Sequence, residues 1–489
     1  MTYLLALDQG TTSCRAILFD ARGRVVRTAQ QPLTQHFPRP GWVEHDAMEI
    51  RDRQFAVARE AMGGVEPGQI AGLGITNQRE TTVVWDRATG EPIHRAIVWQ
   101  DRRTAEMCAR LRDEGLGPHV RRVTGLRLDP YFSGTKLAWL LENVAGARER
   151  AERGDLLFGT VDAWLVWWMT GGPDGGRHLT DVTNASRTLL WDLRQKRWDP
   201  LMLDALGIPE AMLPDVTPCA AAVGTWNDIA ITGIAGDQHA ALFGQGCLSS
   251  GDAKYTLGTG GFLLLNTGET AVASDAGLLT TTAWDLGHGL QYALEGSVFV
   301  AGAAVQWLGE GLGLLDDSRE VGPLAASVES AGGVVFVPAF TGLGAPTWDP
   351  DARGSLFGLT RGTTVAHIAR ATLEGIAHQT ADVLESMQSD SGLLLDRLRV
   401  DGGAASNDVL LQIHADLLGV SIERPANVEA TAWGAAALAG IGAGVLSPES
   451  IVPPAPEAVF TPTLSDDERQ RQRGLWRQAV ERTRGWAAL

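Results

Sequence analysis

Three glycine-centred turns carry much of the polar chemistry of this chain. The first lies in LALDQGTTSCRAILFD, where Asp8 and then Gly10, Thr11, Thr12 and Ser13 stand between two apolar runs. Glycine lets a backbone turn tightly and come close to a ligand. Successive N–H groups in such a turn make a concave anion site, and Thr and Ser hydroxyls add donors. A carboxylate beside phosphate oxygens needs a metal between them; Mg2+ suits this, because it takes carboxylates directly or through retained waters. Asp8 with residues 10–13 therefore reads as a cradle for a metal-bound nucleotide phosphate, although taken alone an Asx turn in a hairpin is the commoner reading. No GxxxxGK[ST] occurs, so the chain is not of the P-loop type.

The second turn lies in KYTLGTGGFLLLN, which repeats the order strand, Gly-Thr turn, strand about half a chain later. A two-lobed protein would set the two turns facing each other across a cleft. The third, VDGGAASND at residues 400–408, joins an apolar strand to the helical pattern VLLQIHADLLG. Gly402 and Gly403 can admit a flat ring or a phosphate and Asn407 can hydrogen-bond it; equally, the loop is a strand-to-helix connection capped by Ser406 or Asn407. In GIAGDQHAALFG, Asp237 and Gln238 open a helix after an apolar strand. Asp237 is either a helix cap or a general base that accepts a hydroxyl proton during phosphoryl transfer. ITNQRETTVVWD sets Arg79 and Glu80 between runs that read as buried, either as an internal ion pair or as a grip on a polyol, with Arg donating and Glu accepting. Trp99 in AIVWQDRR and Tyr131 in DPYFSGTK can wall such a polyol, but with 16 Trp in the chain any one of them is more often core.

The elements that must position these residues alternate. Apolar runs YLLALD, AGLGITNQ, TTVVWD, DLLFGTVDAWLVWW, IAITGIAGD, GVVFVPAF and RLRVDGGA read as strands, with helical patterns at residues 135–143 and 365–387, and this is α/β construction. The lobe boundary is expected in QGCLSSG, which divides the chain into residues 1–246 and 247–489. The uncharged run ATAWGAAALAGIGAGVL, residues 430–446, is mostly Ala and Gly and barely long enough to span a bilayer. It reads as a helix packed closely on a neighbour, with Gly440 and Gly444 at the spacing of a helix-packing pattern.

Composition narrows the classes. With 41 Lys and Arg against 58 Asp and Glu, the formal net charge is −17, which argues against a general nucleic-acid or anionic-membrane binder. The four cysteines form no CxxC pair, which fits a reducing cytosol. The opening MTYLLALDQG has no basic region and an acidic residue cuts its apolar run, so no signal peptide is expected. The ten His show no metal-type spacing, and His239, His378 and His414 are expected to be structural.

Together ALDQGTTS, GWVEHD, ITNQRETT, YFSGTKLAWLLEN, FGTVDAWL, GIAGDQ, TLGTGGF, PAFTGLGAP and GSLFGLTRGTTVAHIARATLE resemble the FGGY carbohydrate kinase family over essentially the whole chain. ITNQRE with GWVEHD is similar to its glycerol-specific branch. The resemblance implies two actin- and hexokinase-like (ribonuclease H-like) lobes with a nucleotide cleft between them. It implies transfer of a phosphoryl group from ATP, with Mg2+, to glycerol, giving sn-glycerol 3-phosphate, in a cytoplasmic homodimer or homotetramer. Carried over by position, Arg79, Glu80, Tyr131, Asp237 and Gln238 match glycerol contacts, Trp99 and Phe262 the apolar walls, and Asp237 the base. Thr11, Thr12, Ser13 and Arg15 match the first phosphate loop and Thr259 the second. Gly302, Gln306, Gly403 and Asn407 match the nucleotide positions, and Asp8 the carboxylate that helps hold Mg2+. His239 stands where the family often has Gln. The short AAVGTWNDIAITG lacks the glycine-rich loop through which some relatives bind fructose 1,6-bisphosphate, and the His that others have phosphorylated by a phosphocarrier. Rival readings are a kinase for another polyol or sugar, such as xylulose or erythritol, and an actin- or Hsp70-like ATPase.

Overall fold

The opening run forms a hairpin. In the computed structural model, which describes residues 2–426 and 429–487, strands β1 (Tyr3–Gln9) and β2 (Ser13–Asp20) pair antiparallel. Leu4, Leu5, Ala6, Leu7 and Ile17, Leu18, Phe19 are all fully buried, because both faces of this pair are covered. Strand β3 (Val25–Pro32) pairs with β2 and is mostly exposed, as an outer strand. Strand β4 (Ile70–Asn77) lies parallel to β1. Beyond it β5 (Gly224–Trp226) and β6 (Ile229–Gly236) close the sheet, in the order β5-β6-β4-β1-β2-β3 with β6 parallel to β4. Helix α1 (Ala47–Met62) makes the crossover from β3 to β4. Asp46 caps it by accepting from the Met48 N–H at 2.8 Å, and its Ile50, Val57, Ala58 and Ala61 pack on the sheet.

The second sheet repeats the plan. Strands β7 (Ala253–Leu257) and β8 (Gly261–Gly268) form its hairpin. Strands β9 (Leu279–Asp285) and β10 (Leu290–Val298) extend it antiparallel. Strands β11 (Arg397–Asp401) and β12 (Ser421–Pro425) add parallel to β7, with β13 (Pro456–Phe460) outermost. The order is β9-β10-β8-β7-β11-β12-β13. Setting β3-β2-β1-β4-β6 beside β10-β8-β7-β11-β12 gives the same succession: a hairpin, a third antiparallel strand, then two parallel strands. The duplication suggested by the two Gly-Thr turns is thus a duplication of topology.

Helix α2 (Asp237–Gly244) follows β6. Helices α3 (Gly302–Glu310), α4 (Val365–Ser391) and α5 (Asp408–Leu418) cover the second sheet, with Val305, Leu373, Ile376 and Leu411 in its core. Helix α6 (Ala430–Gly442) then returns to the first sheet, where Ala432, Ala435 and Ala436 lie against Leu4, Ala6 and Ile17. A Cβ on Gly434 would stand 1.8 Å from the Ala240 carbonyl oxygen, and one on Gly74 2.1 Å from that of Ala435. The close packing expected of this run is therefore real at Gly440, where a Cβ would stand 2.6 Å from Leu446 and 3.1 Å from Leu4, and tightest at Gly434, but not at Gly444, where a Cβ would meet nothing within 4 Å.

One strand expectation is corrected. Within DLLFGTVDAWLVWW only Leu156–Gly159 is a strand, and Val161–Met169 is helical. An unbroken apolar run carries no period to separate the two. The helix gathers Trp164 and Trp167 against Trp85.

Candidate active site

Parallel strands send their following turns out of the same end of a sheet, and ligands of open α/β sheets bind there. Strands β1, β4 and β6 therefore deliver residues 10–12, residues 78–82 and Asp237 together. In the second sheet β7 and β11 deliver residues 258–260 and 402–407 in the same way.

After β4 the chain makes a three-residue turn. The Thr81 N–H donates to the Arg79 carbonyl at 2.7 Å across Glu80, whose φ is 60°. This left-handed conformation is costly for a bulky residue. Neighbours hold it: the Glu80 carbonyl accepts from Ser133 Oγ at 3.0 Å, Thr82 Oγ1 at 3.1 Å and Lys136 Nζ at 3.4 Å. Arg79 then donates Nη1 and Nη2 to Glu295 at 2.5 and 3.1 Å, Nη2 to the Tyr131 hydroxyl at 3.3 Å, and faces Asp237 through Nε at 3.2 Å. Arg187 bridges Glu80 at 2.7 Å and Glu295 at 2.9 Å. Glu80 Oε2 accepts no hydrogen bond among the described residues and so remains able to take a ligand hydroxyl.

The charges differ in exposure. The side chains of Arg79, Glu80, Arg187 and Glu295 are at most 2% exposed, whereas that of Asp237 is 32% exposed. Burial alone would raise the Glu295 carboxyl; the guanidiniums of Arg187 and Arg79 outweigh it and hold the group well below its ordinary range. At Asp237 desolvation prevails. It raises the carboxyl to about 6, with Arg79 opposing and Glu80 adding to the rise. Asp237 is thus an ionisable group poised near neutrality at the opening of the cluster.

Aromatic rings form the side of this site. Trp99 meets Tyr131 and Phe262 edge-on, at centroid distances of 5.6 and 6.3 Å. The Trp99 indole N–H donates to Thr11 Oγ1 at 2.9 Å, which joins the aromatic wall to the first Gly-Thr turn. Phe262 belongs to β8, so both halves of the chain build the wall.

In the first turn the Gly10 N–H donates to the Ser13 carbonyl at 2.9 Å, and Ser13 Oγ accepts from Gln30 at 2.8 Å. Thr12 is exposed. Arg15 donates Nη2 to Asp8 Oδ2 at 2.5 Å and pairs with Glu429 at 2.7 Å. Asp8 Oδ1 accepts no hydrogen bond among the described residues. In the second turn the Gly258 N–H donates to the Gly260 carbonyl at 2.8 Å, and Thr259 is exposed. The Gly302 N–H donates to the Gly258 carbonyl at 3.0 Å, which seats α3 on this turn, and Gln306 on α3 is exposed. At the third turn Asn407 caps α5, accepting from the Leu410 N–H at 3.1 Å. Gly402, at φ 89°, is the glycine that packing demands, since a Cβ there would stand 2.4 Å from the Leu257 carbonyl oxygen. Gly403 is exposed with open space at its Cβ position.

Three residues outside the sequence expectations belong to the site: Arg187, Glu295 and Lys254. Lys254 Nζ donates to Gln238 Oε1 and to Thr256 Oγ1, and burial lowers its ammonium to about 8. The amide oxygen of Gln238 is therefore turned to Lys254. Lone charges inside apolar strands, as in AKYTL and YALEGSV, were the available signal for Lys254 and Glu295; nothing local marks Arg187. His239 is buried and neutral, its Nε2 3.2 Å from Thr281 Oγ1. His414 bonds Leu410 and Thr380, and His378 stacks on Trp476.

Two sheets of the same topology, each opening on a hairpin with a Gly-Thr turn, and a charged cluster walled by aromatic rings beside the first turn define a phosphotransferase of small hydroxylated molecules. The chain belongs to the FGGY family of carbohydrate kinases: the family's N-terminal domain matches residues 3–244 and its C-terminal domain residues 253–443. It is 55% identical over 494 residues to a glycerol kinase of Halorhodospira halophila, covering 99% of this chain and 97% of that protein. It is 56% identical over 498 residues to a glycerol kinase of Alkalilimnicola ehrlichii, covering 100% of this chain and 99% of that protein. Among solved structures, the Plasmodium falciparum glycerol kinase with ADP superposes with a TM-score of 0.93 at 36% identity, over 99% of this chain and 98% of that one. A xylulose kinase of Rhodospirillum rubrum shares the fold, with a TM-score of 0.85 at 24% identity over 98% of each chain. Among the described residues no helix is long and apolar enough to cross a membrane.

Proposed function

We propose that this chain transfers the terminal phosphoryl group of ATP to glycerol, giving ADP and sn-glycerol 3-phosphate. The observation that carries the reading is the Arg79–Glu80–Asp237 cluster beside the Trp99, Tyr131 and Phe262 wall. Glycerol has three hydroxyls on an apolar carbon chain, and this pocket has donors and acceptors for the first and rings for the second. Arg79, Glu80, Tyr131, Asp237 and Gln238 contact the hydroxyls, while Trp99 and Phe262 confine the carbons. The names of relatives 55–56% identical over nearly full length support the choice of glycerol, and the ADP in the Plasmodium falciparum enzyme supports ATP.

Asp237 orients the terminal hydroxyl and accepts its proton as the oxygen bonds to the γ-phosphorus, while the β–γ bridging oxygen leaves with ADP. Thr11, Thr12, Ser13 and Arg15 on one side and Thr259 on the other stabilise the charge on the phosphate oxygens. Gly302, Gln306, Gly403 and Asn407 face the nucleoside side, where Gly403 leaves open space. The free Oδ1 of Asp8, an oxygen donor beside a hydroxyl-lined turn, suits Mg2+, which takes one or two carboxylates and completes its shell with phosphate oxygens and water. When bound, the ion neutralises phosphate charge.

The lobes divide at residues 246 and 247, with α6 packed back onto the first. We place the enzyme in the cytoplasm as a homodimer or homotetramer. A coupled assay of ADP release across glycerol, erythritol and xylulose tests the substrate. Glycerol should give the highest kcat/KM, and preference for either of the others would transfer the reading to that polyol or sugar.

A further inference from the structure

A second cleft lies away from the proposed catalytic groups, between the helix Gly117–Thr124 and the segment that leads into β9. Its volume is about 330 Å³, within the range of small-molecule pockets, ~300–1,000 Å³. Arg121, Arg122 and Arg194 line it, and Pro118, Leu193 and Val272 supply apolar wall. Each arginine is anchored by one contact: Arg121 Nη2 donates to the Ser274 carbonyl, Arg194 Nη1 to the Arg122 carbonyl at 2.9 Å, and Arg122 Nη2 lies 2.9 Å from His119 Nδ1. A guanidinium has five N–H donors, so anchored forks keep donors for a ligand. Asp275 is the carboxylate in the lining. Arg127, two residues past the lining Gly125, is held over Trp348 at 4.5 Å. Burial, and after it Arg121 and Arg112, pushes its guanidinium below its ordinary range. On a chain of net charge −17, three arginines against one carboxylate in a single lining are a local inversion of sign.

We propose that this cleft binds a small anion bearing a phosphate group, and that its occupancy is felt in the glycerol pocket. Three planar forks suit the several oxygens and double charge of a phosphate ester, and the apolar wall suits a short carbon skeleton. The link to the pocket is a single strand. Thr280 lines the cleft and donates its N–H to the Gly125 carbonyl at 2.9 Å. The next residue, Thr281, bonds Ser186 Oγ at 2.9 Å and His239 Nε2 at 3.2 Å. Ser186 adjoins Arg187, which holds Glu80, and His239 follows Asp237 by two residues. Binding in the cleft depends on residues outside the proposed catalytic groups, whereas its effect on the glycerol pocket rests on the proposed reading of that pocket.

The test is calorimetric titration of the full chain, with glycerol, ADP and Mg2+ present to fill the main cleft, using glucose 6-phosphate and inorganic phosphate as probes. Saturable binding that weakens with added NaCl and falls at least about tenfold in R122Q/R194Q, but not in the remote R471Q, is the expected result. Tighter binding of the ester assigns the site to a phosphorylated metabolite; equal or tighter binding of phosphate assigns it to the free ion. No saturation by either probe up to about 10 mM, or binding untouched in R122Q/R194Q, overturns the site. Because the variants localise the binding, this result is independent of which polyol the enzyme phosphorylates. The preferred probe should also change the glycerol KM of the unsubstituted enzyme and not that of R122Q/R194Q; binding that leaves both KM and kcat unchanged overturns the link.

Discussion

Asp237 shows how one carboxyl can serve a reaction and burden a fold. In the proposed reaction its ionised form takes up a hydroxyl proton, yet desolvation raises it to about 6. The rate should follow that value: kcat/KM for glycerol should climb as pH rises through about 6 and level above it, because only the carboxylate accepts a proton. Asp237→Asn should lower kcat by about two orders of magnitude or more while glycerol still protects the protein thermally; near-normal turnover would remove Asp237 from its role. Stability runs the other way. A carboxyl whose value is raised in the fold contributes stability below its unfolded value near 4, and loses that contribution as pH rises through about 6. Asp237→Asn should therefore melt higher than the unsubstituted protein at pH 8, by about 1–3 °C, and a lower midpoint would show that the Arg79 contact outweighs desolvation. The sequence made this carboxyl legible, because Asp237 opens a helix after an apolar strand. It made Arg79 and Glu80 legible as neighbours of opposite charge. Arg187 and Glu295 escaped, since each lies more than a hundred residues from its partner and only the fold makes the pair.

Elements meet at two places where small changes should be felt widely. Glu295 on β10 binds two buried guanidiniums, one from the turn after β4 and one from the segment before Leu189. Glu295→Gln would leave Arg79 and Arg187 sharing Glu80 and Asp237 in a desolvated site. Breaking a buried pair from one side costs about 3–5 kcal/mol, so urea unfolding should show a loss of that order, together with a higher glycerol KM as Arg79 loses its anchor. An unchanged midpoint would mean water reaches the cluster. The second place is the crossing of α6 over α2, where Gly434 stands against Ala240 and Gly244 stands against Ala430. Overpacking typically costs about 1–3 kcal/mol, and here the obstacle is backbone. Gly434→Ala should reach at least that cost in denaturant titration. It should also lower kcat, because α2 carries Asp237 at its first residue. The Ala- and Gly-rich run at 430–446 announced close packing, but spacing alone pointed to Gly440, which packs against Leu4 and Leu446, and to Gly444, which does not, and missed Gly434. Which glycines touch depends on the direction of crossing, and no local pattern encodes that.

At the scale of the whole molecule, the duplicated topology sets two Gly-Thr turns at corresponding ends of two sheets, one before β2 and one before β8. The sequence disclosed this because a Gly-Thr turn between apolar strands recurs half a chain on. It did not disclose that α6 goes back to the first sheet, since an apolar helix carries no mark of the lobe it will cover. A pocket split between lobes solves a problem of selectivity. Water is smaller than glycerol and can take the phosphoryl group, so the chemistry must wait until the alcohol is in place. Phe262 comes from the second half of the chain and Trp99 from the first, so a ligand resting against both rings would touch both lobes and favour a closed arrangement. ADP release without glycerol should then be slower than with saturating glycerol by about two orders of magnitude or more. Small-angle scattering should show a smaller radius of gyration with glycerol and a non-hydrolysable ATP analogue together than with either alone. Hydrolysis as fast without glycerol as with it would favour an ATPase in which the Arg79–Glu80 pocket has no catalytic purpose. Phe262→Ala separates the two cases further: it should raise the glycerol KM and narrow the ratio between the two rates, because it removes the contact proposed between the second lobe and the alcohol while leaving Asp237 and both turns in place.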